Sequence, residues 1–300
     1  MPRHFLTGAE LSAQELEALL DRALELKRDP RSSNALAGAS VGLVFQKPST
    51  RTRVSFEVGV EELGGHAVVL RADELQLSRG EALRDTALVL SRHLAALGIR
   101  SDSDETVSEI AAHSEIPVIN MLTPRHHPCQ ALADLLTLRE AYGNLRGLRL
   151  AYVGDGNNVA RSLAILGTLA GVEVAVASPD GYALESDTEL MPEARGSLAL
   201  YSEPRQAVQG AAAVYTDVWV SMGDEAGAAQ RREALDGYRV DDALLDAALP
   251  GAFAMHDLPA HPGEEISAEV LYGERQRIWD QAENRRHAQK ALLELLVAAP

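Results

Sequence analysis

Short apolar runs closed by Gly, Pro or Asn, recurring between helical patterns, constrain this chain more than any other feature. ASVGLVF (39–45), HAVVL (66–70), LAALGIR (94–100) and IPVIN (116–120) read as strands, with helices between them starting near Ser49, Glu81 and Glu105. The pattern restarts after the helix CQALADLLTLREAY and the turn GNLRG. Strand LRLAYVG (148–154), helix NNVARSLAILGTLAG, strand VEVAVASP, a helix-plus-strand stretch to SLALYSE, and strands AAVYTDVW and AFAMHDL follow. The expected fold is α/β: two doubly wound parallel-sheet domains, 1–138 and 139–279, with the C-terminal helix of 280–300 packing back on the first.

Composition narrows the function classes. A chain of 300 residues suits two domains, each able to bury its own core. The single cysteine, Cys129, excludes an internal disulfide framework and fits a reducing compartment. No apolar run approaches the about 18–20 residues needed to span a bilayer. The N-terminal stretch has helical apolar spacing rather than the layout of a signal peptide, so it belongs to the fold. A cytoplasmic protein is expected. The net charge of −16 argues against nucleic-acid or membrane partners, because counterion release needs clustered positive charge. Most carboxylates read as solvated surface, against which local arginines stand out.

FQKPSTRTRVSF (45–56) sets hydroxyls and arginines between an apolar strand and a helix start. Ligands of open α/β sheets sit beyond the carboxyl ends of strands, where helix N-termini offer unpaired N–H groups to anions. Pro48 suits a helix start, Ser49, Thr50 and Thr52 add hydroxyl donors, and Arg51 can grip phosphate through its planar fork. The pattern reads as an oxyanion socket or, more plainly, as a capping Ser followed by solvent-facing arginines. Arg100 follows another strand, and HHPCQALADLLTL places His127 and Gln130 at a helix start. His127 is either structural or a fixed donor to a carbonyl oxygen.

In the second half, VGDGNNVA has Gly154 and Gly156 after a strand. The third glycine position is Val159 and no acidic residue closes the next strand, so a dinucleotide site is not expected. TDVWVSMG ends a strand with Asp217, followed by Ser221, Met222 and Gly223, and reads either as a ligand loop or as a helix cap. Neither His126, His127 and Cys129 nor His256, Asp257 and His261 has a zinc spacing, so no metal is expected, and no G-x-S-x-G elbow is present.

FQKPSTRTRVSFEVGVEELGG, LSRGEALRDTALVLSR, HHPCQALADLLTL, AYVGDGNNVARSL, YTDVWVSMGDE, HDLPAHPGEEIS and DQAENRRHAQKALL, in this order, resemble the ornithine branch of the aspartate/ornithine carbamoyltransferase family. The resemblance implies that carbamoyl phosphate binds in the first domain, its phosphate held by Ser49, Thr50, Arg51 and Thr52. Arg100, His127 and Gln130 would surround the carbamoyl group, and Arg285 of the final helix would reach the same ligand. Gln76 would be offered to a neighbouring subunit, which implies a homotrimer. Asn158, Asp217, Ser221 and the Met222 backbone would hold the α-amino and α-carboxylate groups of L-ornithine.

The implied reaction carbamoylates the δ-amine of ornithine, giving citrulline and phosphate, with no cofactor. Closure of the two domains would bring the reactants together. One segment departs from the family pattern. Asp257 stands where that branch usually has Cys, before Leu258 whose carbonyl would lie near the amine, and Pro262 stands where Arg is common. A carboxylate there stabilises an ammonium unless it takes the proton itself as a general base. Two alternatives therefore remain: a different amine acceptor, or a non-catalytic binding relative.

Overall fold

In the computed structural model, residues 2–71, 74–75, 80–185, 193–220 and 227–297 are described. They divide into two compact units, Met1–Leu136 with Glu283–Pro300, and Thr137–Ala282.

The first unit holds a four-stranded parallel sheet of β1 (Ser40–Phe45), β2 (His66–Arg71), β3 (Ala96–Arg100) and β4 (Val118–Leu122), in the order β2-β1-β3-β4. Helices α1 (Ala13–Arg28), α2 (Thr50–Glu62), α3 (Leu83–Ser91) and α4 (Asp104–His113) accompany it, and α5 (Pro128–Tyr142) leads out of it. Local chemistry fixes the helix starts. Ser12 and Glu15 form a reciprocal capping box on α1, while Ser49 and Ser103 cap α2 and α4. Pro48, expected at the helix start, instead precedes the cap. Val44, Leu97, Ile99, Ile110 and Val118 form part of one core cluster. The N-terminal segment joins the sheet: Phe5 N–H donates to Val118 O, and Asn120 N–H to Phe5 O, both at 2.8 Å.

The second unit contains β5 (Arg149–Val153), α6 (Asn158–Leu169), β6 (Glu173–Ala177), β7 (Ser197–Tyr201), α7 (Pro204–Val208), β8 (Ala213–Thr216), α8 (Ala228–Leu235), α9 (Asp242–Leu245), β9 (Phe253–His256) and α10 (Ala268–Tyr272). Its five parallel strands run in the order β7-β6-β5-β8-β9, over a core that includes Val153, Val214, Leu245 and Ile266. The helix expected in the stretch before SLALYSE falls partly on residues 186–192, outside the described residues.

The final helix, α11 (Ile278–Val297), packs back on the first unit as expected. Ala288, Ala291, Leu292, Leu293 and Leu296 are buried along it. Its polar anchor is Lys290, whose Nζ donates to Leu26 O (3.2 Å), Pro30 O (3.0 Å) and Glu62 Oε2 (2.6 Å). Glu62 thus leaves the solvated class expected of most carboxylates, because a buried ammonium and Arg286 (3.4 Å) neutralise it. Among the described residues no helix is long and apolar enough to cross a membrane.

Both sheets have a point where the chain reverses its direction of winding: β2 and β3 flank β1, and β6 and β8 flank β5. The carboxyl ends of parallel strands at such a point leave a crevice with helix N-termini around it. Apart from Arg285 on α11, most residues singled out in the sequence lie at or after the ends of β1, β3 and β4 in one unit, and of β5, β8 and β9 in the other.

Candidate active site

In the first unit, β1 hands over to α2 through Ser49, whose Oγ accepts from Thr52 N–H at 3.3 Å. The capping reading of Ser49 is therefore met, and its own O–H can still donate outward. Thr52 is buried, Arg51 half-buried and Thr50 exposed. Register pairs Phe45 of β1 with Arg100 of β3, and a bulge between Ile99 and Arg100 offsets the pairing with β4. Gln46 ties the two strand ends, accepting at Oε1 from Ser101 Oγ and from Asp102 N–H at 3.2 Å.

Buried polar groups converge here. Arg285 of α11 donates from Nη2 to Thr52 Oγ1 at 2.7 Å and from Nη1 to Gln130 Oε1, while Gln130 Nε2 donates to Asp134 Oδ1 at 2.8 Å. One guanidinium thus joins the first turn of α2 to that of α5. His127, 2% exposed, lies just before α5. Burial, then the charges of Arg285, Arg100 and Arg51, hold its pKa well below the ordinary 6.5, so the ring is neutral at physiological pH. Burial pushes the Cys129 thiol up to about 12, which makes it a packed side chain rather than a nucleophile.

In the second unit, Asn157 caps α6. Its Oδ1 accepts from Val159 N–H (3.0 Å), Ala160 N–H (3.2 Å) and Tyr152 Oη (3.1 Å). Those donors fix the amide, so Nδ2 faces Asp217 and donates to its Oδ2 at 2.7 Å. Asp217 Oδ1 accepts from Val218 N–H at 2.7 Å. Asp217, directly after β8, is a buried carboxylate with both oxygens hydrogen-bonded, and it caps no described helix. Burial, then the charge of neighbouring Asp257, raise its pKa well above 3.8, with His256 opposing. Gly156 explains the glycine spacing that suggests a nucleotide loop. A Cβ there would lie 2.3 Å from Leu184 N, so the residue permits close backbone approach.

After β9, Leu258 N–H donates to His256 Nδ1 at 2.9 Å, and His256 Nε2 lies 3.2 Å from Glu265 Oε1. That hydrogen bond helps hold Leu258 at φ 63°, a left-handed conformation unusual for a branched side chain. Polar atoms of Asp217, His256 and Asp257 lie within 4.8 Å of one another. That spacing admits a cation, but both imidazole nitrogens are engaged.

Residues 3–140 match the family model described as aspartate/ornithine carbamoyltransferase, carbamoyl-P binding domain, and residues 146–296 match its Asp/Orn binding domain. The chain belongs to the aspartate/ornithine carbamoyltransferase family. The ornithine carbamoyltransferase of Acidothermus cellulolyticus is 50% identical over 305 residues, covering 100% of this chain and 98% of that protein. That of Methanoculleus marisnigri is 49% identical over 304 residues, covering 99% and 98%. The solved ornithine carbamoyltransferase structure from Pyrococcus furiosus superposes with a TM-score of 0.94 at 43% identity, covering 100% of this chain and 98% of that one.

For this carbamoyltransferase-family chain, the structure gathers Thr52, His127, Gln130 and Arg285 in one unit, with Arg51 and Arg100 near enough to act on His127. It gathers Asp217 and Asp257 in the other, with Leu258 next in the chain. Asn158 is the first residue of α6, and its carbonyl accepts from Ser162 Oγ at 2.8 Å. Gln76, Ser221 and Met222 lie outside the described residues. Sequence reasoning passed over Asn157, Tyr152, Asp134, Gln46 and Glu265. For Asn157 a signal was present: it stands directly before the helix, where a cap is expected.

Proposed function

We propose that this chain transfers the carbamoyl group of carbamoyl phosphate to the δ-amine of L-ornithine, giving L-citrulline and phosphate, a step of arginine metabolism. The observation that carries the reading is the buried Arg285 bridge to Thr52 and Gln130, set beside a neutral His127. Phosphate sits at the N-terminus of α2 against Ser49, Thr50, Arg51 and Thr52, where the helix dipole and unpaired N–H groups favour an anion. Arg100 and His127 donate to the carbamoyl oxygen, and Gln130 and Arg285 orient the group. A neutral imidazole donates without bringing a further cation among three guanidiniums. Each preorganised donor of this kind is worth about 3–4 kcal/mol in the transition state.

Asn158, Asp217, Ser221 and the Met222 backbone hold the acceptor's α-amino and α-carboxylate groups, with Asp257 and the Leu258 carbonyl at the attacking amine. Like lysine, that amine has a pKa near ~10.4, so about 4 in 10,000 molecules carry it neutral at pH 7. Asp257 takes the proton of the ammonium. The nitrogen lone pair then forms the C–N bond and the carbonyl opens to an oxyanion. Collapse breaks the C–O bond to phosphate, which departs with the bonding pair, and one of the two protons left on the attacking nitrogen passes to the departing phosphate while the other stays as the N–H of citrulline.

The working form on this reading is a cytoplasmic homotrimer. Val54 on α2 and Val89 on α3, 52% and 55% exposed, supply apolar surface for association of the first units. The test is an assay of citrulline and phosphate with ornithine, aspartate and putrescine as acceptors. Equimolar citrulline and phosphate with ornithine support the reading. Product only with another amine, or binding without phosphate release, overturns it.

A further inference from the structure

We infer that Asp104 is a positioning residue for carbamoyl transfer: acting through Thr123 and the turn at 123–126, its carboxylate fixes the backbone that presents His127 and ties it to the strand end that presents Arg100. The inference rests on the functional reading above, which gives those two side chains to the carbamoyl oxygen, and adds a residue that acts through them.

Asp104 is the first residue of α4, directly after the capping Ser103. The helix dipole alone would account for an acidic residue there. Its contacts run elsewhere. Thr123 Oγ1 donates to Asp104 Oδ1 and Arg125 N–H to Oδ2, the latter at 3.2 Å, so both oxygens face the loop between β4 and α5. Asn120 sets the direction of the hydroxyl: its Nδ2 donates to Thr123 Oγ1 at 3.1 Å and to Leu6 O at 2.8 Å. The loop then closes on itself, Thr123 N–H donating to His126 O at 2.8 Å, and His127 is next. The His127 carbonyl accepts from Gln130 N–H (3.0 Å) and Ala131 N–H (3.2 Å), in the first turn of α5. His127 is therefore held by a helix on its carbonyl side and by a turn pinned to Asp104 on its amino side.

The same residue anchors the Arg100 strand end. Arg100 closes β3, Ser101 N–H donates to Leu122 O at 3.0 Å, Ser103 N–H donates to Ser101 Oγ at 3.0 Å, and Asp104 follows. The segment from Arg100 to Asp104 is thus stitched to β4 at its start and to the loop after β4 at its end. Two donors aimed at one oxygen must keep their geometry to within about 0.5 Å, and a shift of about 1 Å costs as much as a hundredfold in rate. Without the carboxylate, Thr123 and Arg125 lose this acceptor and the turn shifts, while α5 stays in place. The phosphate side is held by other means, since Thr52 of α2 accepts from Arg285.

The test compares Asp104→Ala, Asp104→Asn and Glu105→Ala by steady-state citrulline assay, with calorimetric titration of inorganic phosphate alongside. Asp104→Ala is expected to lower kcat and kcat/KM for carbamoyl phosphate together by about tenfold to a hundredfold, the sign of lost transition-state contacts, with phosphate affinity kept within about twofold. Asp104→Asn should stay within about threefold of the unsubstituted protein, because its amide oxygen can accept from Arg125 N–H and its NH₂ can donate to Thr123 Oγ1, whose own proton turns to His126 O at 3.4 Å. Glu105→Ala, in the same first turn of α4, removes a dipole partner but no loop contact and should leave kcat within about twofold. Should Asp104→Ala fail to fold, Thr123→Val, which removes only the hydroxyl bridge, is expected to repeat the kcat loss with phosphate binding kept. A kcat unchanged in Asp104→Ala or in Thr123→Val, a phosphate affinity that falls as far as kcat, or an equal loss in Glu105→Ala overturns the inference and leaves the functional reading standing. Failure of the unsubstituted protein to make citrulline from ornithine overturns the reading beneath it.

Discussion

Removing the carboxylate of Glu62 should damage the first unit more than removing its partner Lys290. Lys290 has its three N–H groups filled by Glu62 Oε2 and two carbonyl oxygens, and Glu62 Oε1 also faces Arg286 at 3.4 Å. Glu62→Ala leaves the buried Lys290 ammonium without its anion, while Arg286, 28% exposed, keeps Glu283 at 3.4 Å, so its cost belongs in the range for a broken buried pair, about 3–5 kcal/mol. Lys290→Met leaves Glu62 with Arg286 and strands two carbonyls, at about 2–3 kcal/mol. Glu62→Leu with Lys290→Met removes both charges together and should cost no more than about 1–2 kcal/mol. Both tryptophans, Trp219 and Trp279, lie in the second unit, so fluorescence would report the wrong half of the molecule. Native-state hydrogen exchange on peptides from α1, α2 and the end of α11 reads the local opening energy directly. Lys290 is five positions after Arg285, about 7.5 Å along the helix, so the Glu62→Ala variant should also raise the KM for carbamoyl phosphate. A Glu62→Ala cost below about 1 kcal/mol, or a double variant as damaged as the sum of the singles, would refute the reasoning.

Arg285→Met should lower kcat/KM for carbamoyl phosphate by about 10²–10³-fold, since it removes a charged donor and leaves Thr52 and Gln130 misdirected; steady-state kinetics checks this, and a loss under tenfold would contradict it. Gly156→Ala should destabilise the second unit by about 2–3 kcal/mol through a clash with backbone at Leu184, whereas Gly143→Ala, with nothing within 4 Å of its Cβ, should cost about 1 kcal/mol for its φ of +74°. Urea midpoints of the two variants decide between them. Burial, then Lys290 and Arg286, push His287 down to about 4, and His127 shifts the same way. The unfolded chain therefore binds these protons more readily. The stability they leave intact above about pH 6.5 falls away as pH drops towards about 4. The exchange-derived stability of the first unit should decline across that window, and a flat profile would contradict the shifts.

The strands were legible because buried parallel strands read as short apolar runs, and the punctuating Gly, Pro and Asn residues marked their ends. The STRT segment was legible as a helix start because a capping Ser is a local signal, and Ser49 does cap α2. What stayed hidden depends on partners far apart in the chain. Arg285 meets Thr52 across 233 residues and Gln130 across 155, and Asn157 meets Asp217 across 60. Nothing local in DQAENRRH says which arginine turns inward. Glu62, Asp134 and Glu265 read as surface charges because burial of a carboxylate depends on a partner that only packing supplies. Asp257 was visible as a departure from the family pattern, but its proximity to Asp217 depends on β8 and β9 being neighbours.

The most direct measurement is a crystal structure of the protein soaked with carbamoyl phosphate. The phosphate should occupy the first turn of α2 at Ser49–Thr52, with the carbamoyl oxygen about 2.7–3.1 Å from donors of Arg100 and His127. Density for the compound elsewhere, with Arg285 still bridging Thr52 and Gln130 beside an empty cradle, would contradict the account.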